Sequence, residues 1–114
     1  MSDDPALRPW GRYEILQESE THKVKAIYVH SGMRLSYQRH QKRAEHWFVV
    51  AGQGEVTIEG EISKVGPGSS CDIKINQLHR IANTGEGELI FIEVQTGSYF
   101  GEDDIERLED DFGR

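Results

Sequence analysis

The chain is poor in the features that would tie it to a membrane, a nucleic acid or an oxidising compartment. Its 114 residues include one cysteine, Cys71, so no disulfide can close within it. No basic start leads into an apolar run of signal-peptide length, and no apolar stretch approaches the roughly 20 residues a spanning helix needs. The expectation is a cytoplasmic protein without membrane contact. Positive charge is scarce as well: 13 Lys and Arg face 20 Asp and Glu, a formal net charge of -7. Phosphate backbones are met by clustered Lys and Arg, so no nucleic-acid partner is expected. The deficit is local, because 102–111 (EDDIERLEDD) holds seven acids and only Arg107, which leaves about -1 for the other 104 residues. An anionic substrate is therefore compatible with the rest of the chain. No long amphipathic helix and no internal repeat is visible, and the length allows one domain.

What is present is alternation. From Lys23 to Gln95 short segments of strand character (HKVKAIYV, AEHWFVVAG, GEVTIEG, CDIKI, HRIAN, ELIFIEVQ) are separated by the turn stretches SG, GQG, VGPGSS and NTGEGE. This pattern predicts an all-β sandwich or barrel. Residues 1–7 are polar and expected to be flexible, with a single domain over 8–114, and Trp10 in RPWG is expected to pack on the barrel. Ile105, Leu108 and Phe112 fall at helical spacing behind Glu102, Asp103 and Asp104, which predicts a short C-terminal helix; an acidic solvated tail is the alternative.

The spacing that carries chemistry begins at Gly32 and runs through Gln38, His40 and Glu45 to Gly52; a second run leads from Gly68 to His79 and Asn83. On an extended segment Gln38 and His40 point to one face. An amide oxygen, an imidazole and a carboxylate aimed at one interior make an O/N ligand set for zinc or a similar divalent ion, and His79 on a later strand makes four. His46, next to Glu45, points the other way, and His22 and His30 read as surface residues. Lys25 is in register with Ile27 and Val29 and so faces inward, as a functional group or as a lysine snorkelling at the barrel mouth. Glu93 and Gln95 share one face at the end of an apolar strand, which predicts a polar patch inside the barrel or cation pairing at its surface. Arg80, Arg43, Arg107, Arg34 and Arg8 are candidates for holding phosphate bidentately.

Both runs resemble the paired cupin motifs, with departures at Gln38 (usually His), Lys74 (usually Pro) and Asn76 (usually Gly). Gln at the first position resembles the phosphomannose isomerases. RPWGRYEIL, KVKAIYV, RLSYQRHQKRAEHWFVVAG, LHRIAN and EVQTGSYFGEDDIERLEDDFGR are similar nearly end to end to the type II mannose-6-phosphate isomerase cupin, which is also found fused behind a mannose-1-phosphate guanylyltransferase domain. Gln41 and Lys42 stand where relatives often carry another His. The glycine-rich nucleotide loop of the guanylyltransferase is absent, so that activity is not implied.

The resemblance implies an RmlC-like jelly-roll cupin barrel. It also implies an isomerase that interconverts mannose 6-phosphate and fructose 6-phosphate, supplying mannose phosphate for GDP-mannose and polysaccharide synthesis. Zinc is the expected metal, with manganese, cobalt, nickel or iron as substitutes, held by Gln38, His40, Glu45 and His79. Lys25 and Glu93 are the candidate bases for moving a proton between C1 and C2, and the arginines would orient a phosphorylated hexose. A homodimer through strand edges is expected. Two other readings remain open: a metal- and sugar-binding cupin without turnover, and an iron oxygenase built on two His and a carboxylate.

Overall fold

The computed structural model describes residues 7–113. Eleven strands are present: β1 (Leu7–Arg8), β2 (Gly11–Glu18), β3 (His22–Val29), β4 (Tyr37–His40), β5 (Arg43–Ala51), β6 (Gly54–Ile58), β7 (Glu61–Val65), β8 (Ser70–Ile73), β9 (His79–Asn83), β10 (Leu89–Gly97) and β11 (Ile105–Glu109). They form two antiparallel sheets, one in the order β1-β2-β3-β10-β5-β8 and the other β11-β4-β9-β6-β7. The expected all-β architecture is present, and strands β1, β2, β4, β7 and β11 add to the six expected from the alternation. Residues 1–6 of the expected flexible N-terminus lie outside the described residues, while Leu7 pairs with Arg12 across β1 and β2.

The inner faces of the sheets follow the period-two rule. Along β10, Leu89, Phe91, Glu93 and Gln95 are all buried, and the alternate residues face outward. Ile27, Val29, Val49, Val56, Ile73 and Ile81 close the apolar core around Trp47 and Phe91, whose ring centroids lie 5.0 Å apart. Trp10 joins this cluster, as its place in RPWG predicts. Gly52 turns β5 into β6 at φ +92°, and a Cβ there would lie 2.6 Å from the Glu88 carbonyl oxygen, so only glycine fits both the angle and the contact.

The expected C-terminal helix is corrected. Glu102–Asp104 forms a single 3-10 turn, and Ile105–Glu109 continues as β11, in register with β4 through Ile105↔His40 and Arg107↔Gln38. A helix this short is marginal in water. The competing strand satisfies the open edge of β4 and adds the pairs Arg39–Glu106 (2.8 Å) and Arg80–Glu109 (3.1 Å). Phe112 packs against the core from beyond the strand.

Candidate metal centre

His40 ends β4, Glu45 is the third residue of β5, and His79 opens β9. The turn between β4 and β5 is held by Asp104, whose carboxylate accepts from the amides of Gln41 and Lys42 at 3.2 and 2.9 Å. That turn carries the chain from one sheet to the other, so residues on both strands face one interior. Register does the rest: Gln38 lies opposite His79 across β4 and β9, and Glu45 lies opposite Gln95 across β5 and β10.

The result is a buried cluster. His40, Glu45 and His79 are each at most 3% exposed, and one ligating atom from each lies within 4.8 Å of the others. Nε2 of His40 is 3.2 Å from Glu45 Oε2, and Nε2 of His79 is 3.9 Å from Glu45 Oε1. The Nδ1 of His79 donates to the Gln77 carbonyl at 2.9 Å, which leaves the Nε2 lone pair facing the carboxylate. Among the described residues His40 Nδ1 has no hydrogen-bond partner although it is buried. The Nε2 atoms of both imidazoles face the Glu45 carboxylate, a donor set that fits a divalent ion. Gln38 donates its amide to Ser36 Oγ at 2.9 Å, so its carbonyl oxygen is the atom it can offer.

The electrostatics agree with that donor set. Burial alone would raise the Glu45 carboxyl, but hydrogen bonds with His40 and Glu93 and the charge of Arg43 outweigh it and hold the group well below the usual carboxylate range. Burial lowers His79, against the pull of Glu45 and the Gln77 carbonyl, which favours the neutral, ligating imidazole. Glu93 goes the other way: burial, the charge of Glu45 and the hydrogen bond to it push Glu93 well above its ordinary value, with Lys25 and Arg43 opposing. Trp47, which no motif spacing singles out, gives its indole N–H to both carboxylates, 3.0 Å from Glu45 and 3.2 Å from Glu93.

The cluster opens on a cavity of about 60 Å³. Of the candidate residues, Lys25, Glu93, Arg8, Arg43, Arg80, Arg107 and Gln38 line it together with Glu45 and His79. Lys25 is inward, as its register predicts, with Nζ 4.6 Å from the Tyr13 ring and 3.6 Å from Glu102. Glu93 and Gln95 form the expected internal polar patch, joined by a 3.0 Å hydrogen bond from the Gln95 amide. Arg34 is not brought to this site. Its guanidinium is held by Asp111 through bonds of 2.7 and 2.9 Å, and it does not line the cavity. His46 faces outward and pairs with Asp72 at 2.6 Å, and His30 is exposed. Glu102, likewise absent from the sequence candidates, reaches Arg43 at 3.3 Å and Lys25; nothing in its acidic neighbourhood marks it as different from the acids around it.

Two antiparallel sheets closed over a buried His, Glu and His cluster that could hold a metal ion define a cupin. Residues 2–110 match the family model for the mannose-6-phosphate isomerase C-terminal domain, and the chain belongs to that family. Over 107 residues, 94% of the chain, it is 50% identical to the alginate biosynthesis protein AlgA of Pseudomonas aeruginosa. Over the same share it is 47% identical to the mannose-1-phosphate guanylyltransferase ManC of Salmonella typhimurium. The chain spans 22% of the length of each of these relatives. Among solved structures, KdgF from Halomonas has the same fold at a TM-score of 0.76 and 18% identity, covering 82% of this chain and 85% of that one.

Proposed function

We propose that this domain is a metal-dependent aldose–ketose isomerase that interconverts mannose 6-phosphate and fructose 6-phosphate, and so supplies mannose phosphate for GDP-mannose and polysaccharide synthesis. The observation that carries this reading is that Glu45 and His79 of the cluster line one cavity together with Lys25, Glu93 and three of the candidate arginines beside Arg43. Membership in the isomerase family supports it.

His40, Glu45 and His79, with the Gln38 carbonyl as a fourth donor, would hold the divalent ion, zinc first among the candidates. Bound there, such an ion supplies Lewis acidity that draws charge onto a sugar oxygen and acidifies the neighbouring C–H. The chain's own residues move the proton. Lys25 and Glu93 are cross-strand partners in β3 and β10, and both reach the cavity. Glu93, raised by burial and by Glu45, is suited to take a proton from one sugar carbon and return it to the other, while Lys25, 3.6 Å from the Glu102 carboxylate, is placed to balance negative charge on a sugar oxygen. Arg80 has a buried Nη2 without a hydrogen-bond partner among the described residues, a donor suited to a phosphate oxygen. Arg8 and Arg107 line the same cavity and would complete the phosphate's surroundings.

The test is a coupled assay for fructose 6-phosphate formed from mannose 6-phosphate, run on chelated protein and after adding zinc, manganese or cobalt. Turnover restored by metal is expected, and turnover that persists after complete chelation overturns the mechanism. Absence of turnover under every metal favours the second reading, a binding domain without catalysis.

A further inference from the structure

The acidic segment at 102–111 is bound to the barrel by ion pairs of one polarity. Its carboxylates supply the negative partners and the barrel supplies the cations: Glu102 with Lys25 (3.6 Å) and Arg43 (3.3 Å), Glu106 with Arg39 (2.8 Å), Glu109 with Arg80 (3.1 Å) and Asp111 with Arg34 (2.7 Å). Three of those cations, Lys25, Arg43 and Arg80, are buried at 4%, 4% and 8% exposure and line the cavity. The cations an anionic ligand needs are thus already engaged by carboxylates of the same chain.

Volume leads to the same place. The cavity of about 60 Å³ is far below the roughly 300 Å³ at which small-molecule sites begin. Ile105 and Arg107 of β11, with Glu102, form part of its wall. The 3-10 turn that carries Glu102 has no buried residue and no side-chain cap at Gly101, and along β11 only Ile105 is even partly buried. Along the segment itself movement would uncover little apolar surface, and its carboxylates stay in contact with water, Glu102 at 43% and Glu109 at 65% side-chain exposure, which weakens their pairs with the buried cations.

We propose that the segment is an internal competitor for an anionic ligand: the Glu102 carboxylate occupies Lys25 and Arg43, two cations of the cavity wall that an entering anion would draw to itself, and ligand entry requires Glu102 to withdraw. This rests on the reading that the cavity receives a phosphorylated sugar. The charges that hold Glu102 come from two strands, Lys25 with Lys23 on β3 and Arg43 on β5. Their attraction lowers its carboxyl against the effect of burial, so Glu102 is anionic when it meets them. The ligand and Glu102 compete for one pair of cations, and the segment's carboxylates set how much phosphate character a ligand needs in order to enter.

The experiment titrates the full chain with inorganic phosphate, read by the intrinsic fluorescence of Trp10 and Trp47, both of which line the cavity. Glu102→Gln, which removes the competing charge and keeps the shape, binds phosphate about three- to tenfold more tightly than the wild type. Glu106→Gln, whose partner Arg39 is exposed and outside the cavity, binds like the wild type. Hydrogen exchange gives a second readout: phosphate speeds exchange of the 105–109 amides in the wild type. Equal or weaker binding by Glu102→Gln, no binding by either protein, or unchanged exchange overturns the proposal. Tighter binding by Glu102→Gln in a chain without isomerase turnover leaves this inference standing and removes the proposed function. Turnover with equal phosphate affinities does the reverse.

Discussion

Glu45 and Glu93 accept hydrogen bonds from one indole N–H, that of Trp47, at 3.0 and 3.2 Å. Two carboxyls so close and so buried do not both ionise. Arg43 and the hydrogen bond with His40 favour charge on Glu45, and the proton stays with Glu93.

This division gives stability a pH dependence. Because Glu93 is raised when folded, the folded state keeps a proton that the unfolded chain releases above about pH 4.3. Its contribution is fully present below that value and is lost as pH rises toward the folded value. In chelator-treated protein, Glu93→Gln should therefore raise Tm at pH 7.5 and leave it unchanged near pH 4. The gain should be several degrees, since 1 kcal/mol corresponds to about 4–8 °C in a domain of this size. Thermal denaturation at the two pH values measures it, and an equal effect at both contradicts the pairing.

His40→Ala and His79→Ala should each weaken zinc binding by at least about 100-fold, ~2.7 kcal/mol. His46→Ala, on the outer face beside Asp72, should bind zinc like the wild type. Calorimetric titration of chelated protein with zinc compares the three. Retained affinity in His79→Ala would place the ion elsewhere.

Cys71 is half-buried in β8, and burial, with Asp72 and Glu45 adding to it, pushes its thiol up to about 11. The thiolate is the reactive form, so alkylation by iodoacetamide at pH 8 should be far slower than for a free thiol with its usual value near 8.5. Mass spectrometry over a time course gives the rate, and the rate should climb with pH through the alkaline range. Urea should abolish the difference.

Acid should loosen the C-terminal segment before it opens the barrel. Glu102 and Asp111 are both lowered in the folded state, Glu102 by Lys25 and Arg43 working against burial, Asp111 by its hydrogen bond from Arg34. A lowered carboxyl stabilises above its unfolded value and loses that contribution as pH falls through the folded one. Below about pH 4 the 105–109 amides should lose protection from exchange while those of β10, between β3 and β5 in the sheet, keep theirs. Simultaneous loss in both strands would mean that segment and barrel open as one unit.

Trp10→Ala removes a 6%-exposed ring from the core cluster and should cost about 3–5 kcal/mol in urea unfolding. A cost below 1 kcal/mol would mean that the N-terminal strands add little to the barrel.

Much of the site could be read from spacing, because strand geometry is local. Once Gln38 and His40 are placed on a strand they share a face, and Lys25 must point inward if Ile27 and Val29 do. What stayed hidden depends on partners distant in sequence. Ile105, Leu108 and Phe112 suit a helix until the open edge of β4 is there to pair with, and that edge lies more than sixty residues earlier. Arg34 and Arg80 look alike in sequence. Only the fold decides that one guanidinium meets Asp111 outside and the other enters the barrel. Trp47 could have been found, since it alternates with Glu45 and Val49 on β5; its tie to Glu93 required the β5–β10 register.

Along its inward face β10 runs from Leu89 and Phe91 to Glu93 and Gln95, grease giving way to acid and amide within one short ribbon. The barrel therefore has two unlike ends, and damage should sort by end. Lesions near Leu89 would be read in yield and solubility, whereas lesions near Glu93 would be read in the polar cavity that it lines. A library confined to this one strand would map the border between those two kinds of failure.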